Sequence, residues 1–383
     1  MRQATHNSPR TWLITSALSP LQIRLIRLLL AHGDYVVACV APYEIDNEER
    51  SAEFRALVDE CKSGRKDREG WKDRLRGVRC DGKVMGQCSA AVAEAVQFFG
   101  RVDILLCCRS EGTFVAPALP GWGLGMHGKS VCEAHGRIAI VGTVEELSTT
   151  AVTQNLVRDQ FETIFFSQIN FINATLPTLR EQHTGHIMIL SSTGGHIGTP
   201  GMPIYTAATW ALEGYCDSLA YEIAPFNVKV TIVQPNKEIQ TLTNRIVFTP
   251  YLPPPENEIN PAPSIREMLT HALNTNPDTE IEQSETDVQV RYPKLPPAAL
   301  DRLVTETVHA LTAIGGHENP PARHIVGFEG SIAVKDKLRT TTEELEDFVE
   351  ATMSVDIEGD GREKDASLKG SPAAGGSAAS NQG

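Results

Sequence analysis

The sequence predicts an α/β protein organised around a doubly wound parallel sheet. Short runs rich in β-branched residues alternate along the chain with helical patterns, which is typical of parallel strands joined by crossover helices. Runs such as VVACV (36–40) and TIVQ (231–234) are apolar on both faces. Strands of this kind are covered by helices on each side, so we expect the sheet to lie in the middle of the domain.

The predicted strands and helices follow one another in a regular order. The strands are 12–16, 35–40, 77–80, 102–108, 186–192, 228–234 and 323–328. The helices are 20–32, 89–99, 153–181 and the amphipathic segment that starts at Tyr205. Gly33 and Gly100 directly follow the first two helices, where a residue with positive φ commonly ends a helix.

We expect one large domain followed by an extension. The domain occupies residues 11–250, and a helical C-terminal extension covers 251–355, with a last strand at 323–328. The tail over 356–383 is rich in Gly, Ala and Ser and should be disordered.

Two insertions interrupt the predicted domain. KSGRKDREGWKDRLR (62–76) is biased towards basic residues, and we interpret it as a solvated loop in preference to an anion-binding patch. The segment 113–138 is rich in glycine and aperiodic, and structureless loops of this length are uncommon inside compact domains. A translated intron therefore stays open there as an alternative to a genuine insertion.

Charge and composition argue against several classes of protein. The net charge of −13 disfavours nucleic acid or an anionic membrane as the main partner, because binding phosphate needs a basic surface. No apolar stretch of about 18 residues predicts a membrane span, and the N-terminal MRQATHNSPR lacks the apolar region of a signal peptide. The eight cysteines show no zinc-like spacing and several lie in apolar runs. We therefore expect buried, reduced thiols and a cytoplasmic protein.

The segment SSTGGHIGTPGMPIYTAATWALEGYCDSLAYEIAPFNVKVTIVQP (191–235) resembles the classical short-chain dehydrogenase/reductase family. The resemblance extends over about residues 11–250 and implies a single Rossmann-like domain that uses NAD(P)(H) for hydride transfer. It also implies two catalytic positions. Ser192, thirteen positions before Tyr205, would bind the substrate carbonyl or hydroxyl, and Tyr205 would act as the general acid or base.

Two other catalytic positions of the family carry different residues here. The lysine four positions after the tyrosine, which would share its helix face, is replaced by Thr209. The catalytic asparagine of the preceding helix is replaced by Ile164. Lys229 and Lys237 lie in or beyond the next strand, so local spacing does not let either one stand in for the lysine. We therefore expect a phenol without a neighbouring cation, and an ordinary phenol is only about one part in a thousand ionised at pH 7.

The nucleotide-binding loop departs from the family as well. The pattern Thr-Gly-x-x-x-Gly-x-Gly aligns with TSALSPLQ (15–22), which keeps Thr15 and replaces the three glycines with Ser16, Pro20 and Gln22. The glycines allow the backbone to approach a diphosphate at a helix N-terminus. Without the resemblance, the same residues predict a helix start, with Ser19 as N-cap, Pro20 as first helical residue and Gln22 as the partner in a capping box.

Among the family's other cofactor-binding positions, some carry different residues in this sequence and two are retained. The family's Asn-Asn-Ala-Gly after the fourth strand aligns with Cys107, Cys108, Arg109 and Ser110. Ala41 and Pro42 follow the second strand, where an acidic or basic residue would bind the ribose. Two matches remain: Asp81 at the adenine-contacting aspartate, and Pro235 in the Pro-Gly pair after the sixth strand.

These departures predict a pseudoenzyme that binds no NAD(P), or binds it weakly, and acts as a binding or regulatory protein. The alternative is a divergent NAD(P)-dependent oxidoreductase that uses Ser192 and Tyr205 on a carbonyl or alcohol, with His196 as a candidate substitute base. A pocket that binds a small carbonyl or alcohol without reducing it fits the first hypothesis. The family resemblance also implies a homodimer through the helices near 153–181 and 203–225. A nucleic-acid binder that uses 62–76 is the least favoured class.

Overall fold

The computed structural model describes residues 8–63, 65–109, 139–235, 246–250, 252, 268–270, 289–291 and 296–353. The predicted insertion 113–138 and the predicted tail 356–383 lie outside the described residues. The chain divides into two compact units, Met1–Lys337 and Leu338–Gly383.

The described elements are ten strands and twelve α-helices, with four short turns of other helix types. The strands are β1 (Thr11–Ile14), β2 (Tyr35–Val40), β3 (Leu75–Arg79), β4 (Ile104–Cys107), β5 (Ala139–Val141), β6 (Gly185–Leu190), β7 (Val228–Pro235), β8 (Ile246–Phe248), β9 (Gln289–Arg291) and β10 (Arg323–Val326). The helices are α1 (Pro20–His32), α2 (Pro42–Ile45), α3 (Glu48–Lys62), α4 (Trp71–Arg74), α5 (Met85–Phe99), α6 (Val144–Ser148), α7 (Ala151–Phe161), α8 (Ser167–Gln182), α9 (Pro203–Ile223), α10 (Pro297–Ile314), α11 (Phe328–Asp347) and α12 (Val349–Met353). The short turns are 3₁₀-helical at Lys66–Arg68, Thr193–Gly195 and Ala224–Phe226, and π-helical at Glu162–Phe166.

Seven strands form one parallel sheet in the order β10-β7-β6-β4-β1-β2-β3. This order confirms the predicted doubly wound parallel sheet. The direction of strand addition reverses between β1 and β4, and a crevice for ligands is expected outside the carboxyl ends of the strands at such a point. Gly33 (φ 93°) and Gly100 (φ 76°) end α1 and α5 in the left-handed region, as the sequence predicts.

Apolar side chains pack on both faces of the sheet. Because successive residues of a strand point to opposite faces, Trp12 joins one apolar layer with α1 and α10, and Leu13 joins the other with α5, α8 and α9. Trp12 is fully buried, and its indole Nε1 donates to the carboxylate of Asp34 at 3.2 Å. The indole therefore has a partner for its one polar group inside the core.

A second, three-stranded sheet has the order β5-β8-β9. Its strands are only three residues long, with β5 and β8 parallel and β8 and β9 antiparallel. Directly after β8, Thr249 N donates to the backbone oxygen of Val141, the last residue of β5, at 2.9 Å. Side chains of β5 and β8 are buried together with Tyr205 of α9. This small sheet therefore belongs to the surroundings of the predicted site.

The insertion 62–76 corrects one expectation in part: most of its described side chains are exposed, as predicted for a solvated segment, but its backbone is not an irregular loop. The described residues form a 3₁₀ turn, α4 and the start of β3. Trp71 is only 7% exposed, with the guanidinium of Arg68 5.5 Å from its ring centroid. Arg68 also pairs with Glu60 at 3.0 Å, and Arg76 pairs with Glu94 at 2.6 Å. These arginines are therefore already paired within the molecule.

Cysteines within the described residues are buried and carry no disulfide, as expected. They are Cys39, Cys61, Cys80, Cys88, Cys107, Cys108 and Cys216. Burial raises the pKa of Cys108 to about 12 and that of Cys216 to about 12, so neither thiol is activated for nucleophilic chemistry. None of the described helices is long and apolar enough to cross a membrane.

Candidate functional site

The predicted catalytic residues lie where the neighbouring strands β4 and β6 end. Ser192 follows β6, and Tyr205 lies in the first turn of α9. Both side chains are closed off from solvent, Tyr205 being 0% and Ser192 1% exposed. Ser192 Oγ accepts from Gly194 N at 3.2 Å and caps the 3₁₀ turn that follows. His196 is half-buried just after that turn.

Arg109 brings a positive charge onto Tyr205. It follows β4 by two residues, and its side chain is only 3% exposed. Its Nη1 donates to Tyr205 Oη at 2.6 Å, and its guanidinium carbon lies 4.9 Å from the centroid of the phenol ring. The expectation that Tyr205 has no neighbouring cation is therefore wrong. The charge comes from a different strand end rather than from the next turn of the same helix.

Thr209 completes the arrangement around the arginine. Its Oγ1 accepts from Arg109 Nη2 at 3.0 Å and donates to the backbone oxygen of Tyr205 at 2.9 Å. Thr209 is 0% exposed. The position that holds a lysine in the family is thus filled by a neutral side chain, with the arginine lying across it.

Ile164 places an apolar side chain where the family has an asparagine. It lies in the π-helical turn that interrupts the helix predicted over 153–181. The side chain is fully buried in one apolar cluster with Tyr205, Met202 and Phe248. An isoleucine offers no hydrogen bond to a water or to a neighbouring backbone group, so it cannot pass a proton.

The loop between β1 and α1 does not fit a dinucleotide. Ser16, Ala17, Leu18 and Ser19 are each at most 7% exposed, so the backbone is not open to a diphosphate. Ser19 Oγ already accepts from Gln22 N at 3.4 Å as the N-cap, and Pro20 and the other replacements add bulk where glycines would stand.

The predicted capping box at this helix is only half formed. Ser19 accepts from Gln22 as predicted, but Gln22 Oε1 is a buried oxygen without a hydrogen-bond partner. The Gln22 side chain reaches the thiol of Cys108 instead. It therefore fills space between α1 and the end of β4, where the family's last glycine leaves room.

Thr15 has a role within the fold that needs no cofactor. Its Oγ1 donates to Cys108 O at 2.9 Å and accepts from Cys108 N at 2.8 Å. Gln168 of α8 also donates to Cys108 O at 3.1 Å. These bonds tie the end of β1 to the end of β4, and they hold the backbone from which Arg109 projects.

The remaining cofactor positions are also engaged in local structure. Asp81 Oδ1 accepts from Lys83 N at 3.0 Å, and Asp81 N donates to Gln87 at 2.8 Å, so the aspartate shapes the turn before α5. Pro235 is buried at the end of β7, paired with Val326. After β2, Ala41 and Pro42 start α2 without any ribose-binding side chain. Taken together, the residues present do not fit a nicotinamide dinucleotide.

The sequence analysis did not predict one buried carboxylate near the site, that of Glu213. Glu213 of α9 is 3% exposed and accepts from Ser191 Oγ at 2.5 Å and from Gln234 Nε2 at 2.9 Å. Arg323 Nε lies 3.7 Å from its other oxygen. A charged residue on an otherwise apolar helix face could have indicated the buried Glu213. In the same way, a charged residue directly after an apolar strand could have indicated the buried Arg109.

Among the described residues, no group of three or more His, Cys, Asp or Glu side chains is arranged to hold a metal ion. The described polar side chains at the site are a phenol, a hydroxyl and a guanidinium, those of Tyr205, Ser192 and Arg109, and all three are buried.

Comparisons with known proteins agree with this fold. The model of the short chain dehydrogenase family matches residues 136–245. An oxidoreductase of Botryotinia fuckeliana, BOA17, is 38% identical over 111 residues, which are 28% of this chain and 40% of that protein. A 3-ketodihydrosphingosine reductase of Bacteroides thetaiotaomicron is 38% identical over 102 residues, 24% of this chain and 38% of that protein. The match thus spans well under half the length of either relative.

A solved structure supports the same conclusion for the fold. The crystal structure of a short-chain dehydrogenase from Streptomyces avermitilis superposes with a TM-score of 0.60 and 21% identity, covering 91% of this chain and 100% of that one. Residues 136–245 thus match the short chain dehydrogenase family, and the chain as a whole has the fold of a solved short-chain dehydrogenase.

Proposed function

We propose that this protein keeps the family fold without its hydride-transfer chemistry, as a pseudoenzyme that acts by binding or regulation. The observation that supports this most directly is the position of Arg109. Its guanidinium lies across Tyr205 and Thr209, and Thr209 stands where the family's lysine would hold the nicotinamide ribose. Because the guanidinium of Arg109 fills the space beside Thr209, a ribose could not bind in the same place.

The nucleotide loop supports the same proposal independently. Its residues are buried, its N-cap side chain is already bonded to the helix, and Pro20 lacks an N–H. Two separate parts of the cofactor site are therefore occupied by the protein's own atoms.

We expect purified protein to show no saturable thermal shift with NADH or NADPH. A ligand at 100 times its dissociation constant stabilises a protein by about 2.7 kcal/mol. For a domain of about 200 residues, each 1 kcal/mol moves the melting temperature by about 2–4 °C. Ordinary cofactor affinity would thus give a shift of about 5–10 °C, whereas we expect less than about 1 °C. AMP serves as the control for weak, non-specific effects, and a saturable shift specific to NADH or NADPH would refute the proposal.

A second candidate is a divergent NAD(P)-dependent oxidoreductase that acts on a carbonyl or alcohol through Ser192 and Tyr205. The contact of Arg109 with the phenol favours it, because a cation beside Tyr205 is what the lysine supplies in the family. The names of the two relatives, an oxidoreductase and a reductase, also favour it. Steady turnover of a carbonyl with NADPH that is lost in Tyr205→Phe would establish this function. A small ligand bound equally well by the wild type and Tyr205→Phe would instead assign Tyr205 to packing.

We also propose a homodimer through α8 and α9. Trp210 and Tyr221 of α9 are 50% and 85% exposed, and Phe166, directly before α8, is 46% exposed. Light scattering should give twice the mass of one chain, and Phe166→Glu should shift the protein towards the monomer. A monomeric wild type at micromolar concentration would contradict the proposal.

A further inference from the structure

The guanidinium of Arg109 is a buried positive charge. Its side chain uses Nη1 on Tyr205 and Nη2 on Thr209, while its Nε is buried without a hydrogen-bond partner. No carboxylate of the described residues forms an ion pair with it, and Asp103, which directly precedes β4, pairs with Arg101 instead. A guanidinium does not give up its proton in proteins, so the charge cannot be removed by neutralising the arginine. Burying it without a negative partner is costly.

Arg109 donates hydrogen bonds to Tyr205 and Thr209, and of these two side chains the phenol of Tyr205 can ionise to an anion. Its Oη lies 2.6 Å from Arg109 Nη1, slightly closer than the about 2.7–2.9 Å usual for N–H···O hydrogen bonds between charged groups. The phenol is fully buried among Ile164, Met202 and Phe248, so water does not screen the two groups from each other.

Two effects oppose each other at this phenol. Burial alone disfavours a phenolate, whereas a cation within hydrogen-bonding distance favours it. Both groups are buried together, and ionisation of Tyr205 gives the guanidinium of Arg109 a negative partner that no carboxylate of the described residues supplies. The phenolate has its own desolvation cost, and the attraction between two opposite charges in hydrogen-bonding contact inside the protein offsets the costs of both ions.

We propose that Tyr205 is a phenolate at neutral pH and forms a buried ion pair with Arg109, built into the fold where the family has a lysine. On folding, the phenol proton is released to water, and the guanidinium keeps all of its own protons. This inference rests on the contact between the two residues and not on the proposed function, since either a binding protein or an enzyme can contain the pair.

The near-ultraviolet absorbance of tyrosinate tests the ion pair directly. The chain has seven tyrosines, and at pH 8 an ordinary phenol is only about 1% ionised. We expect the native protein at pH 8 to contain about one phenolate per chain more than the same protein unfolded in urea. Tyr205→Phe should abolish this excess. Tyr221→Phe is the matched control, because Tyr221 is 85% exposed and its loss should leave the excess unchanged.

Two substitutions of the arginine separate charge from packing. Arg109→Lys keeps a cation and should keep the excess tyrosinate, whereas Arg109→Met should remove it. If Arg109→Met does not fold, the wild type and Tyr205→Phe decide the matter alone. A native wild type without excess tyrosinate overturns the proposal. If in that case acetate raises the melting temperature of the wild type but not of Arg109→Met, a bound anion compensates the charge instead.

Discussion

Replacing Glu213 with alanine is expected to lower the free energy of unfolding by about 3–5 kcal/mol, because the change breaks a buried network that holds a charge. Glu213 accepts from Ser191 and Gln234, and Arg323 lies beside it. The carboxylate thereby links α9 to the ends of β6 and β7 and to the start of β10. Without it, the hydroxyl of Ser191 and the amide of Gln234 are left buried without this acceptor.

Urea denaturation measures the effect, and Glu222→Ala is the matched control. Glu222 lies on the same helix but is exposed, so its removal should change the free energy of unfolding by no more than about 0.5 kcal/mol. Glu213→Gln keeps the size of the side chain, but its amide would face the amide of Gln234, so we expect an intermediate loss. Equal midpoints for the two alanine variants would show that the network contributes little.

Acidification should destabilise the protein through His186. Burial lowers the pKa of His186 to about 4, with nearby positive charges such as Lys229 and Arg10 acting in the same direction. The ring is held in its neutral form, since its Nδ1 accepts from Gly316 N at 3.0 Å and its Nε2 lies 2.9 Å from Thr231 Oγ1. The hydroxyl of Thr231 in turn donates to Pro321 O at 2.7 Å, which leaves Nε2 as the donor to that hydroxyl.

The sign of this effect follows from where each state binds protons. The unfolded histidine takes up a proton near pH 6.5, whereas the folded one resists until about pH 4. The contribution of His186 is therefore complete above pH 6.5 and is lost as the pH falls to about 4, a change of about 3 kcal/mol.

Urea titrations at a series of pH values check this prediction. His186→Gln should flatten the fall in stability between pH 6.5 and pH 4 by about 3 kcal/mol relative to the wild type. His309→Gln is the control, because His309 is exposed on α10 and should leave the slope as it is. The assignment to His186 fails if the two variants have the same pH dependence.

Much of the fold was predictable because its signals are local. The alternation of apolar runs with helical patterns predicted the parallel sheet, and Gly33 and Gly100 marked helix ends because a positive φ is a property of a single residue. The replacements in the loop 15–22 and at Thr209 could also be recognised from the sequence, because the family motif fixes each position by its spacing within one short segment.

The basic insertion was predicted only in part. Its charges predicted exposed side chains, which most of its described residues have. They did not predict the pairing of Arg68 with Glu60 and of Arg76 with Glu94, or the burial of Trp71. Charge pattern alone does not report whether a partner lies opposite in space. The strands of the small sheet are three residues long, too short to show any period of their own.

The sequence by itself determined the class of fold, the resemblance to the short-chain dehydrogenases and the replacement of the glycines, the lysine and the asparagine that this family uses. Only the tertiary structure decided what replaced them. Arg109 and Tyr205 are 96 positions apart, and they meet because parallel crossovers bring the ends of β4 and β6 to one edge of the sheet. Contacts between distant segments depend on how the elements pack, and no spacing along the chain encodes them.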